Sequence, residues 1–261
     1  MIDILRKSVI KQIELLNSST KWREQLYINA PPILWFGNIN AKRKIITIGA
    51  NPSRWEVVKK DMTVENRFRM LLGSESLDTI LYDDKLANEI ISGYNSYFSK
   101  KPYTSWFGNI DSPYKVECFL RGMGATFYEQ KEFPYNCIHV DLFPFPTKDD
   151  YNKLSDIVIH DLFRTGWSEN ILGSIIAFIK PEKIIVFGRG NTAALFTYIY
   201  SANKNLEWKQ SKNEVSYYVN KIISIDGETY PCLGISTNLG NPKPFSKVKL
   251  FEFGMEMKEK L

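Results

Sequence analysis

Lys44-Ile45-Ile46-Thr47-Ile48-Gly49-Ala50-Asn51-Pro52-Ser53 opens with an apolar run and closes on a tight polar turn. The run from Ile45 to Ile48 reads as a buried strand. The turn after it lies where open α/β sheets place their chemistry, just past a strand's carboxyl end. Gly49 and Pro52 suit a sharp bend. Asn51 between them carries both a carbonyl and an amide, a pairing that orients a water and a ligand together. Gly-x-Asn-Pro is also ordinary turn chemistry, and the functional reading gains weight from three later segments.

Each of those segments again ends an apolar run. Cys137 to Leu142, Lys183 to Phe187 and Tyr230 to Ile235 read as further strands. Helical spacing recurs over Lys85 to Phe98, Val116 to Met123, Leu154 to Ile179 and Thr192 to Tyr200. Ile4 to Leu16 predicts an N-terminal amphipathic helix packed across the sheet. The alternation predicts an α/β fold, a three-layer α/β/α sandwich around a short, mainly four-stranded parallel sheet.

Roughly 85 residues separate the first two strands, far more than a crossover needs. Residues 1–261 therefore read as a single domain with an insert at about 55–130. The insert holds Tyr94, Tyr97, Phe98, Tyr103, Trp106 and Phe107, with Lys100 and Lys101 interleaved. Such rings pack as core or, mixed with cations, stack bases and track phosphate.

An apolar fraction of 44% over 261 residues is ample for a sizeable core. The 34 Lys and Arg against 29 Asp and Glu leave a formal charge of +5, compatible with a polyanionic partner. Cys118, Cys137 and Cys232 are far apart and odd in number, which fits buried thiols in a reducing compartment and excludes a CxxC zinc site. No run reaches the length of a membrane span, and the first residues lack the apolar core of a signal peptide, so a cytoplasmic location is expected. His139 and His160 fall on different elements and define no metal site; neither metal nor other cofactor is expected.

The second strand runs through His139-Val140-Asp141-Leu142-Phe143-Pro144 and sets a carboxylate among apolar neighbours. A buried Asp needs a partner, unless it caps the following loop. The third runs into Phe187-Gly188-Arg189-Gly190-Asn191, a close turn that fits neither the P-loop nor the dinucleotide fingerprint. Arg189 reads as a phosphate or sugar contact, or as a solvated loop residue. The fourth ends in Ser236-Thr237-Asn238-Leu239-Gly240-Asn241-Pro242, a polar turn with one exposed-looking apolar side chain.

Taken in order, these four strand ends resemble the uracil-DNA glycosylase superfamily, chiefly its mismatch-specific and single-strand-selective branches. Gly49 to Ser53 is similar to the motif whose Asn positions the attacking water. Asp141-Leu142-Phe143-Pro144 is similar to the segment that reads the flipped base. Ser236 to Pro242 is similar to the loop pressed into the duplex. The regions Tyr97-Phe98 to Trp106-Phe107 and His139 to Thr147 are also similar to bacterial anti-phage glycosylases of this superfamily.

The resemblance implies a monofunctional, metal-independent N-glycosylase that flips a nucleotide out of double-stranded DNA and leaves an abasic site. It implies Asn51 and Asp141 as catalytic, and Ser53, Phe143 and either Phe107 or Phe68 around the base. Ser236, Asn238, Lys243 and Arg189 would contact DNA, and Leu239 would wedge into the vacated space. No membrane and no obligate protein partner are implied.

Three departures refine this. Ser236 stands where many members have a His that stabilises the departing base. Asp141 replaces the base-reading Asn; an ionised carboxylate only accepts, which complements the N4 amino group of cytosine and repels the carbonyl edge of uracil. Ser53 replaces a bulky Tyr and leaves the C5 edge open. Asp141 and Ser53 together favour a C5-modified cytosine, such as hydroxymethylcytosine or its glucosylated form in phage DNA. Were Asp141 protonated, it would instead assist departure of the base. An ordinary uracil or mismatch glycosylase of base-excision repair, and a non-catalytic nucleic-acid-binding module, are the competing readings.

Overall fold

Strands β1 (Lys44–Gly49), β2 (Ala125–Thr126), β3 (Tyr135–Asp141), β4 (Lys183–Phe187), β5 (Lys209–Gln210), β6 (Ser216–Ile223) and β7 (Thr229–Ile235) form one sheet in the order β2-β3-β1-β4-β7-β6-β5. The computed structural model describes residues 1–58, 67–100, 102–149, 153–154, 167–196, 206–223, 227–239 and 245–261. Helices α1 (Ile2–Ser18), α2 (Thr20–Gln25), α3 (Leu77–Tyr82), α4 (Asp84–Asn95), α5 (Thr104–Phe107), α6 (Lys115–Gly122), α7 (Trp167–Ile179), α8 (Arg189–Ala194) and α9 (Lys247–Lys258) flank it.

The α/β class stands, and the expected parallel strands β3, β1, β4 and β7 lie side by side at the centre. The sheet is larger than four strands, however, and mixed. β2 extends it in parallel beside β3, while β6 and β5 add an antiparallel edge beyond β7. The difference has a physical origin in β6, whose Val219 and Lys221 face solvent. Its half-exposed pattern lacks the continuous apolar run of a strand covered on both faces. In β1, by contrast, every residue from Ile45 to Gly49 is buried.

The helical reading of Leu154 to Ile179 is met by α7 from Trp167 onward; residues 155–166 lie outside the described residues, as does His160. α8 begins at Arg189, three residues before the expected Thr192, and residues 197–200 lie outside the described set. α1 packs against α2, α3, α4 and α7, so the insert helices α3 and α4 share its layer. α6 crosses α9 where Gly122 meets Gly254; a Cβ on either would collide with the other helix's backbone. One continuous apolar core includes insert residues such as Phe68, Ile80 and Tyr94 together with the sheet residues Ile46 and Ile184. Cys118, Cys137 and Cys232 are free and buried. Among the described residues no helix is long and apolar enough to cross a membrane.

Two features hold the strand ends in register. At the amino ends, Arg43 forks onto Glu182 at 2.8 and 2.7 Å and lies 4.2 Å over the Tyr135 ring, tying β1, β3 and β4 together. At the carboxyl ends, Gly49 aligns with Asp141, Ile48 with Val186, and Phe187 with Ile235. Beyond the short β2, Phe36 takes the outer edge of β3 through an exchanged pair of backbone bonds with His139, 2.8 and 3.0 Å long.

Candidate functional site

Because these strand ends are level, the turns leaving them enclose a common space. It is a pocket of about 430 Å³ bounded by Gly49 to Arg54, His139, Asp141, Phe187, Asn191 and Asn238 on the sheet side. Phe36, Glu56, Tyr103, Trp106 and Phe107 close the other side. The size is that of a small-molecule site, and the location is the crevice outside the carboxyl ends of parallel strands.

Asp141 is the last residue of β3 and only 4% exposed. The partner its burial requires is His139, two residues earlier and therefore on the same face of the strand. His139 Nε2 lies 3.2 Å from Asp141 Oδ1, and His139 Nδ1 lies 2.9 Å from Thr47 Oγ1 on the neighbouring β1. The Thr47 hydroxyl, 3.4 Å from the Ile138 carbonyl, can donate there and accept from Nδ1–H; with Thr47 donating to Nδ1 instead, Nε2–H donates to Asp141. In that arrangement Asp141 is an acceptor, already holding one donor and retaining capacity for another. His139 thereby forms part of the pocket wall.

Gly49 makes the arrangement sterically feasible. A Cβ there would stand 2.6 Å from Asp141 Oδ1 and 2.9 Å from His139 Nε2, so any other residue would displace the pair. Asn51 follows in the same turn. Its Nδ2 donates to Thr147 Oγ1 at 2.7 Å, and the Thr147 hydroxyl donates onward to the Asp149 carbonyl at 2.6 Å. One amide hydrogen is thereby committed, which leaves the second N–H and Oδ1 for a ligand or water. Ser53 lines the pocket and caps the short 3-10 turn Arg54–Glu56, accepting from Trp55 N–H at 3.3 Å.

That turn carries two groups the sequence reading did not single out. Arg54 lines the pocket with its guanidinium 4.5 Å over the Trp55 ring, and its buried Nε has no hydrogen-bond partner among the described residues. Glu56 lines the pocket at 2% exposure. The Tyr97 hydroxyl lies 2.8 and 2.9 Å from its two carboxyl oxygens. Burial pushes the Glu56 carboxyl up to about 8; the Tyr97 hydroxyl and Arg67 oppose that rise, and the negative charge of Asp141 adds to it. The pocket therefore holds two carboxyl groups, Asp141 and Glu56. A local signal for Glu56 is absent: Arg54-Trp55-Glu56 reads as a solvated turn.

The aromatic expectations divide. Phe107 is buried against Phe36, Phe98 and His139 and reaches the pocket. Trp106, half-buried, sits 4.7 Å from the His139 ring and also lines it, a position the sequence reading left within the general series. Phe68 is corrected: it stacks on Tyr97 at 5.1 Å inside the insert core and does not line the pocket. Phe143 is corrected likewise, since it packs into the core on Trp22 and Phe145. Both rings follow the ordinary preference of large apolar groups for a dry interior.

On the fourth strand end, Asn238 lines the pocket, whereas Ser236 does not and uses its backbone to receive Arg189 N–H at 3.1 Å. Leu239 is fully buried, which corrects its reading as an exposed wedge. Arg189 is exposed and lies 4.7 Å over the Trp208 ring, away from the pocket lining. Lys243 lies outside the described residues, together with residues 240–242 and 244.

No family model matches the chain, and no curated relative matches it.

Proposed function

We propose that this chain is a monofunctional DNA N-glycosylase of the uracil-DNA glycosylase type that flips and excises a C5-modified cytosine. The observation that carries the reading is the joint placement of Asn51 and Asp141 in one base-sized pocket, with Asp141 Oδ1 3.2 Å from His139 Nε2. A stacked base hides its glycosidic carbon, so the target must leave the helix. Trp106 and Phe107 form the aromatic wall against which an extruded base would lie. Asp141 would accept from the exocyclic amino group of cytosine and repel the O4 of uracil. Ser53 is small enough to leave room for a C5 substituent, while Asn51 would hold the water that attacks C1′.

The partner in this reading is DNA, and the substrate class points to defence against phage with modified genomes. Arg54 and Asn238, which line the pocket, replace the Leu239 wedge as the nearest candidates for contact with the sugar-phosphate.

Base release from matched duplexes containing uracil, cytosine, hydroxymethylcytosine or glucosylated hydroxymethylcytosine, followed by alkaline cleavage, tests the proposal. Release from a modified cytosine alone is expected. Asp141→Asn should then move selectivity toward uracil by about 10- to 100-fold, since the amide restores a donor opposite O4. Release of uracil by the unmodified protein would instead assign it to base-excision repair. Salt-dependent DNA binding with no abasic product from any duplex would identify a binding module.

A further inference from the structure

Cytosine is a poorer leaving group than uracil, and Asp141 cannot both accept from its amino group and protonate it. Glu56 is the second carboxyl of the same pocket. Its environment is built for a neutral acid. The Tyr97 hydroxyl already accepts Tyr103 N–H at 2.9 Å, and it has a single proton to share between carboxyl oxygens 2.8 and 2.9 Å away. It satisfies one oxygen as a donor and leaves the other to carry a proton of its own. Arg67 is engaged elsewhere, donating to the Trp55 carbonyl at 2.6 Å and lying 5.1 Å over the Tyr103 ring.

We propose that Glu56 is the proton donor to the departing base, acting opposite Asp141, so that the pocket selects a base presenting an amino donor beside a ring nitrogen or carbonyl acceptor. This rests on the glycosylase reading above. The C1′–N bond breaks with its electron pair passing to the base, which takes the Glu56 proton. The water held by Asn51 adds its oxygen to C1′, and the proton it loses returns through solvent to the Glu56 carboxylate. Burial, which holds Glu56 up to about 8, keeps it protonated at neutral pH.

The groups facing Glu56 are Tyr97, Arg67 and Asp141; His139, Arg54, Tyr103 and Asp149 share the pocket with them. The test is therefore a pH profile of single-turnover base release together with carbon-13 NMR of the labelled Glu side chains, for the native protein and Glu56→Gln. Native release should be flat through pH 7 and fall about tenfold per unit above about 8. Glu56→Gln should fold, release base about 100-fold or more slowly, and lose that alkaline limb. The carboxyl resonance missing from Glu56→Gln should titrate near 8 in the native protein.

An alkaline limb that persists in Glu56→Gln belongs to another facing group and overturns the proposal. So does a Glu56 resonance that titrates in the ordinary carboxylate range, whether or not base is released. If neither protein releases any base, the glycosylase reading fails first and this role falls with it, a result distinct from release with an unchanged profile.

Discussion

The two walls of the pocket differ in origin and in character. The sheet wall consists of strand ends set by backbone register, and it presents short polar groups: Asn51, Asp141, His139 and Asn191. The insert wall consists of a turn and helix ends packed by side chains, and it presents rings together with one buried acid, Glu56. A ladder of backbone bonds leaves little freedom in where a strand-end side chain lies. The insert wall is positioned by ring-on-ring contacts such as Phe36 on Tyr97 and Phe107 on Phe98. In the proposed function this difference becomes a division of labour, the sheet supplying fixed polar recognition and the insert a surface and a proton donor.

That division can be broken first at Asn51. Asn51→Ala should reduce single-turnover release by about 1000-fold while DNA affinity in a filter or anisotropy assay stays within about twofold, because its loss removes the water's positioning rather than the surface. A variant with near-native turnover would take Asn51 out of the mechanism and leave the sheet wall merely structural.

The insert wall is sharpened by stability rather than rate. A carboxyl whose folded value is raised from 4.5 to about 8 contributes stability that is fully present below about 4.5 and is lost as pH rises to about 8. Glu56→Gln lacks that loss. Urea unfolding across this window should show the native protein falling by roughly 5 kcal/mol relative to the variant, then running parallel above it. A constant difference at every pH would mean that Glu56 is not held neutral. Trp106→Ala should weaken binding of a duplex carrying the target base by about 1–2 kcal/mol, with less effect on the rate at saturation. The smallest effect is expected at Thr47→Val, which removes the hydroxyl that orients His139 and should cost roughly 1 kcal/mol of stability or a few-fold in rate.

The same contrast explains what was legible in the residues. Lys183 to Phe187 matches β4 at both ends, and Ile45 to Ile48 falls within β1, because strands covered on both faces are continuous apolar runs. Asn51, Asp141 and Ser53 were legible as pocket-lining residues because they end such runs or follow directly on them. β6 was not, since half of it faces solvent and Asn220-Lys221 interrupts its pattern. Glu56 was not, since nothing in Arg54-Trp55-Glu56 announces burial; Tyr97, some 40 residues on, supplies the hydroxyl that makes the burial tolerable. Leu239 illustrates the converse. Its polar neighbours made it look exposed, yet its side chain is buried.

The hydrogen on the Cα of Gly49 has an evolutionary consequence. With Asp141 Oδ1 only 2.6 Å from where a Cβ would stand, position 49 cannot drift while the carboxylate and His139 remain in place. These three residues should pass through a lineage as a linked inheritance, substituted together or not at all. The insert wall carries no such lock, and divergent descendants would first change which base they accept there, retaining the polar floor as the trace of common ancestry.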